Sequence, residues 1–152
     1  MNRRYYCLLI VLFFAVLIQA AAAERTYNIL FIQSYTSQTP WHSDLNQGLV
    51  KGFKESGLKV NITTEYLDAD FWAFNSEKVI MRRFCQRARD RQTDLIITAS
   101  DEAFYTLFAC GDSLPLQIPV VFFGIKYPDM ELIATAQSET LGDCVKILIF
   151  AS

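Results

Sequence analysis

Short apolar runs alternate along this chain with segments of helical spacing, and this alternation constrains the fold more than any other feature. The runs YNILFI, DLIITAS and IPVVFFG are continuous, which is typical of strands buried on both faces. LKVNITTEY instead alternates apolar with polar residues, so one of its faces is wet. We therefore expect three buried strands and one edge strand.

Three helices are expected between the strands. The first is predicted to begin after Ser43 as N-cap and to stop at Gly57. The second is predicted to open at Asn75 or Ser76 and to end within a cluster of arginines, where cations favour the helix dipole. The third, DEAFYTLFAC, is expected to stop at Gly111.

Regular alternation of strands and helices predicts an α/β fold, a doubly wound parallel sheet in a three-layer α/β/α arrangement. With the half-wet second strand at the edge, the predicted strand order is 2-1-3-4, with a fifth strand as an option. Such sheets bind ligands at the carboxyl ends of the strands that flank the switch point. Here those ends carry SYTSQTPW and ASDEA.

Residues 1–23 resemble an export signal. Arg3 and Arg4 precede an apolar stretch that runs to Ile18, and the small residues 21–23 suit a cleavage site. The alternative is an uncleaved membrane anchor, since the apolar stretch approaches the ~20 residues that cross a bilayer. The chain is therefore expected to be exported, either periplasmic or anchored at the outer face of the inner membrane.

Charge and cysteine content exclude some functions. The net charge is −2, and removal of the signal would take away two arginines and no acid, so a nucleic-acid partner is not expected. Cys85, Cys110 and Cys144 would remain, and no C-x-x-C or Cys/His spacing suggests a metal. Cys85 and Cys110 are expected in the core, and whether they form a disulfide is left open.

Several stretches, in order and spacing, resemble a known family. ILFIQSYTSQTPWHSDLNQGL, EYLDADFW, DLIITASDEA and IPVVFFGI are similar to the first lobe of periplasmic solute-binding domains of the type I binding-protein fold. Members of that family include ABC-transporter substrate-binding proteins and the extracytoplasmic input domains of sensor histidine kinases. The resemblance spans roughly residues 27–128.

The resemblance implies that two lobes close over a small ligand, with strand-end loops of the first lobe lining the cleft. Position by position, it assigns ligand binding to seven residues: Ser34, Tyr35, Trp41, Ser100, Asp101, Gly124 and Ile125. The aromatic faces and one acid would suit an amino-acid-like ligand. The possible covering of the core by Tyr35 and Trp41, and a first-turn role for Asp101, remain open alternatives.

The implied function is binding of a small organic solute without catalysis, cofactor or metal. No G-x-S-x-G elbow, phosphate loop or H-E-x-x-H is present, and His42 is expected to be solvated and not catalytic. A membrane permease or kinase domains would be the partners. The alternative is a flavodoxin-like exported enzyme that uses the same crevice.

The predicted organisation is a signal at residues 1–23, an N-terminal lobe at 24–136 and a tail at 137–152. Family members have a second lobe of comparable size, so the resemblance implies a truncated chain. The tail is read either as a fifth strand or as residue left by the truncation.

Overall fold

The computed structural model describes residues 25–36, 40–70, 74–132 and 134. The predicted signal and the predicted tail lie outside these residues. The described elements are β1 (Thr26–Gln33), α1 (Pro40–Ser56), β2 (Lys59–Tyr66), α2 (Phe74–Asp90), β3 (Leu95–Ala99), α3 (Asp101–Ala109), a 3₁₀ turn (Leu114–Leu116) and β4 (Val120–Phe123).

The four strands form one parallel sheet in the order β2-β1-β3-β4, which confirms the predicted topology. In the register, Phe31 of β1 lies beside Thr64 of β2 and Ile97 of β3, and Ile97 lies beside Val121 of β4. The sheet reverses its winding between β1 and β3. The carboxyl ends of these two strands therefore flank the switch point, as expected.

Helices cover both faces of the sheet, so the three-layer arrangement is also confirmed. Alternate residues of β1 point to opposite faces, as a strand requires. Leu30 and Ile32 enter the core beneath α2 and α3, whereas Ile29 and Phe31 pack against Leu45, Leu49 and Phe53 of α1. No described helix is long and apolar enough to cross a membrane.

The first helix begins earlier than predicted. Ser43 is not its N-cap, because the helix already includes Pro40, Trp41 and His42. A proline at the first helical position costs nothing, since its missing N–H would have no partner within the helix. The hydroxyl of Ser43 lies within hydrogen-bonding distance of Gln47 one turn later, at 3.5 Å from Nε2.

The arginines at the end of α2 have specific partners. The predicted wet face of β2 is partly covered by them: Arg87 binds the Glu65 carboxylate at 2.8 Å, and Arg91 donates to the Thr63 hydroxyl at 2.7 Å. Arg89 pairs with Asp112 beyond α3. This cluster therefore connects α2 to its neighbours, in addition to any favourable effect on the helix dipole.

Candidate functional site

The carboxyl ends of β1, β3 and β4 form a continuous floor. The amide of Ser34 donates to the carbonyl of Ala99 at 3.3 Å, and the amide of Ser100 donates to that of Phe123 at 3.0 Å. Main-chain pairing thus continues one residue past β1 and past β3. We call the surface above this floor, formed by Ser34, Tyr35, Trp41, Ser100, Asp101 and Gly124, the crevice.

Ser34 forms the structural centre of the crevice. It is fully buried, and its hydroxyl donates to the Ala99 carbonyl at 3.0 Å and accepts from the Ala103 amide at 2.9 Å. Ala103 lies in the first turn of α3, so a side chain on β1 caps this helix. Ser100, at the N-cap position itself, makes no side-chain capping bond. The Ser34 hydroxyl therefore orients the first turn of α3.

Ser100 has a strained backbone. Its φ of 75° and ψ of 167° lie in a region that is nearly restricted to glycine. The strain lets the chain turn sharply from β3 into α3 while its amide stays bonded to β4. Residues in such conformations cluster at binding and catalytic sites, where the surrounding structure holds them in place.

Trp41 and Gly124 meet at the crevice. A Cβ atom on Gly124 would lie only 3.1 Å from Cη2 of Trp41, and the glycine has a φ of 69°. Glycine is therefore needed both for the backbone conformation and for the close approach of the indole. The Trp41 side of this contact is not enclosed, because the residue remains 46% exposed.

His42 lies between two aromatic rings and is buried, so the prediction of a solvated histidine is wrong. Its ring makes edge contacts with Trp41 at 4.8 Å and with Tyr35 at 5.6 Å between centroids. Burial lowers the pKa of His42 below its ordinary value. The early start of α1 explains the difference, since it turns His42 inward and Trp41 outward.

Tyr35 faces acidic groups. Its hydroxyl donates to Oε1 of Glu102 at 2.6 Å. Burial raises the pKa of Tyr35, as do this hydrogen bond and the negative charges of Glu102, Asp70 and Asp101. This side of the crevice therefore has a negative potential and favours a cationic group.

Asp101 and Ile125 make other contacts. The carboxylate of Asp101, in the first turn of α3, accepts from the amides of Lys126 at 3.1 Å and Tyr127 at 3.2 Å. It thereby holds the segment that follows β4. Ile125 packs against the Phe104 and Phe122 cluster on the α3 side of the sheet. Asp101 and Ile125 thus hold neighbouring parts of the fold, whereas Tyr35, Trp41, Ser100 and Gly124 lie together at the crevice.

A chain of polar side chains beside the crevice was missed from the sequence. Gln33 is fully buried at the end of β1, and its Nε2 donates to Oδ1 of Asn46 at 2.9 Å. Asn46 in turn donates to the Tyr66 hydroxyl at 3.0 Å. A glutamine directly after the apolar run ILFI was the available signal. Glu102 was missed because its contact with Tyr35 depends on tertiary structure.

Some predicted features lie elsewhere or outside the described residues. Phe71 and Trp72, which end the stretch EYLDADFW, fall outside them, as do residues 37–39. Asp70 is exposed but acts on Tyr35 through its charge. Within the described segments, no cluster of three or more His, Cys, Asp or Glu side chains could hold a metal ion.

Comparisons with known proteins support the fold alone. No protein-family profile and no curated protein sequence matches the chain significantly. A crystal structure of a conserved domain protein from Vibrio cholerae O1 biovar eltor is similar, with a TM-score of 0.52 and 16% identity. The match covers 68% of this chain and 32% of that one. The chain thus has the class of fold described above and spans about a third of this neighbour's length.

Proposed function

We propose that this chain is an extracytoplasmic solute-binding lobe that recognises a small organic molecule at the crevice. It would serve either an ABC importer or the sensory domain of a histidine kinase, as the sequence resemblance implies. The observation that carries the proposal is the close contact of Trp41 with Gly124 beside the switch point. Trp41 is still 46% exposed there.

The exposure of Trp41 and the backbone strain beside it favour a role in ligand binding over a role in covering the core. An aromatic side chain that only covers a core would be expected to bury most of its surface, because burial is what stabilises it. Here the indole is positioned by a glycine of positive φ and lies close to the strained Ser100. Strain retained beside an exposed aromatic surface is typical of ligand sites.

The chemistry of the crevice suits an amino-acid-like ligand. The indole offers a flat apolar face, and the carboxylates around Tyr35 favour an ammonium group. The positive end of the α3 dipole is already balanced by Asp101 and Glu102 in its first turn. The complementary charge in the crevice is therefore for the ammonium group of such a ligand.

A ligand held between two lobes takes much of its contact surface from each of them. This lobe alone is therefore expected to bind weakly, in the millimolar range or about 4 kcal/mol. Weak binding calls for a method that reports on individual residues.

Nuclear magnetic resonance of the ¹⁵N-labelled full chain provides the test. In a Trp72→Phe variant, Trp41 is the only tryptophan, so its indole N–H signal is unambiguous. Titration with a panel of amino acids and small organic acids and amines, up to about 10 mM, should shift this signal and the amides of Ser100 and Gly124. Shifts spread over the surface, or none at these three residues for any compound, would contradict the proposal.

Trp41→Ala then separates binding from stability. We expect the fitted affinity to fall at least about tenfold, or 1.4 kcal/mol, with little change in melting temperature because the side chain is half exposed. A large loss of melting temperature with unchanged affinity would make Trp41 a core residue. Conversion of the added compound in the same samples would instead favour the enzyme alternative.

A further inference from the structure

Two cysteines meet at the seam between α2 and the end of α3, far along α3 from the crevice. Cys85 lies on α2 and Cys110 directly follows α3, and both belong to the same buried core cluster. Both cysteines are thiols in the structure, and neither is more than 2% exposed. The Cys110 thiol donates to the main-chain carbonyl of Leu107 at 3.1 Å, and each cysteine influences the pKa of the other.

Polar cross-links on both sides hold the two backbones in this position. Arg82 donates from Nη1 to the main-chain carbonyl of Cys110 at 2.9 Å. One turn beyond Cys85, Arg89 donates to the Asp112 carboxylate, with 3.0 Å between Nη1 and Oδ2. Since residues three and four apart share a helix face, Arg82, Cys85 and Arg89 lie in one row along α2. Cys85 is the middle residue of this row, between two arginines that bind the segment containing Cys110.

We propose that Cys85 and Cys110 form a disulfide that covalently joins α2 to the end of α3. The geometry of the seam favours this bond, because two buried cysteines of one core cluster lie on backbones that polar bonds on both sides of Cys85 hold together. Because both sulfurs are buried in the folded chain, the bond forms while the chain folds, before the core closes over them. The inference does not depend on the identity of any ligand in the crevice.

The reaction needs a disulfide oxidant, such as oxidised glutathione or a disulfide-bearing oxidase. One of the two cysteine thiolates attacks one sulfur of the oxidant, forms a mixed disulfide and expels one thiolate. The other cysteine then loses its proton and attacks the sulfur of the first, which expels the second thiolate. The two cysteines lose two electrons and two protons, and the oxidant becomes two thiols.

Peptide mapping provides the test. The full chain with Cys7→Ser and Cys144→Ser is refolded with oxidised glutathione, alkylated and digested with trypsin without reduction. Trypsin releases Cys85 in peptide 84–87 and Cys110 in peptide 92–126. We expect these two peptides to be recovered joined, with the loss of two hydrogens. Recovery of both peptides separately in alkylated form would overturn the proposal.

The melting temperature gives an independent measurement. Closing a loop of roughly 25 residues should raise the melting temperature by about 10 °C in the oxidised chain relative to the reduced chain. Cys85→Ala and Cys110→Ala each remove the joined peptide, and their melting temperatures should not respond to reductant. A joined peptide whose reduction leaves the melting temperature unchanged would also overturn the proposal, since the bond would then not stabilise the seam.

Discussion

The α2–α3 seam and the crevice share the same two strands, β1 and β3, but they are built in opposite ways. In the seam, Met81, Cys85 and Leu107 are fully buried in regular helices. At the crevice, Ser100 and Gly124 have positive φ and Trp41 is half exposed. In the seam, the backbone conformations that the residues prefer are also the ones that allow close packing. At the crevice, the backbone is strained and apolar surface remains exposed. That contrast is expected between a region that stabilises a fold and one that binds a ligand.

The largest effect is expected in the seam. Leu107→Ala should destabilise the protein by about 2–5 kcal/mol, because the residue is fully buried and its truncation leaves a cavity. Chemical denaturation measures this change. Val50→Ala, at a position that is 56% exposed, should stay within about 0.5 kcal/mol. If the two variants lost similar stability, the seam would not be the stabilising region.

At the crevice, Gly124→Ala should cost about 2 kcal/mol, of which about 1 comes from the positive φ and the rest from contact with Trp41. Gly57→Ala is a matched control, since its φ of 74° is similar but nothing lies within 4 Å of the added Cβ. It should therefore cost only about 1 kcal/mol. The difference should vanish when both glycine variants are made in a Trp41→Ala background. If the two costs still differ there, the Cβ added at Gly124 clashes with a residue other than Trp41.

Ser100→Gly is expected to stabilise the protein by about 1 kcal/mol, because relief of strain exceeds the entropy that glycine adds to the unfolded chain. The same change at Ser113, where φ is −82°, relieves no strain and should destabilise by about 0.5–1 kcal/mol. Denaturation curves of the two variants give the comparison. Equal signs for the two changes would argue against strain at the crevice.

The smallest effect concerns pH. Burial lowers the pKa of His42 below its ordinary value of 6.5, so the folded state resists protonation and the unfolded state does not. Stability from this difference is complete above pH 6.5 and is lost as pH falls through that value towards the lower pKa of the folded state. His42 is the sole histidine, so its titration can be followed directly by nuclear magnetic resonance.

Trp41→Ala provides the control for this titration. It removes one of the rings that cover His42 and should move the pKa of His42 back towards 6.5. A midpoint at or above 6.5 in the unmodified protein would show that His42 is not shielded from water.

The strand order and the two-sided covering of the sheet could be predicted because each follows from a local pattern. A short continuous apolar run such as NILFI is typical of a strand with both faces covered, and the alternation in LKVNITTEY places its strand at the edge. Gly57 and Gly111 have positive φ where helix ends were predicted. In these regions, residues close together in the sequence determine the local structure.

The detail of the crevice could not be predicted in this way. The capping of α3 by Ser34 joins residues 69 positions apart, and the contact of Tyr35 with Glu102 joins residues 67 apart. The start of α1 at Pro40 buries His42, which was expected to be solvated.

Hydrophobic periodicity therefore determined the fold class, the order of strands and the edge where the crevice forms, since burial of apolar surface depends on spacing along the chain. The tertiary structure decided which side chains meet there, that Ser100 is strained and that Cys85 and Cys110 belong to one buried cluster. Such pairings depend on how separate elements pack, and the spacing of residues within one element carries no information about them.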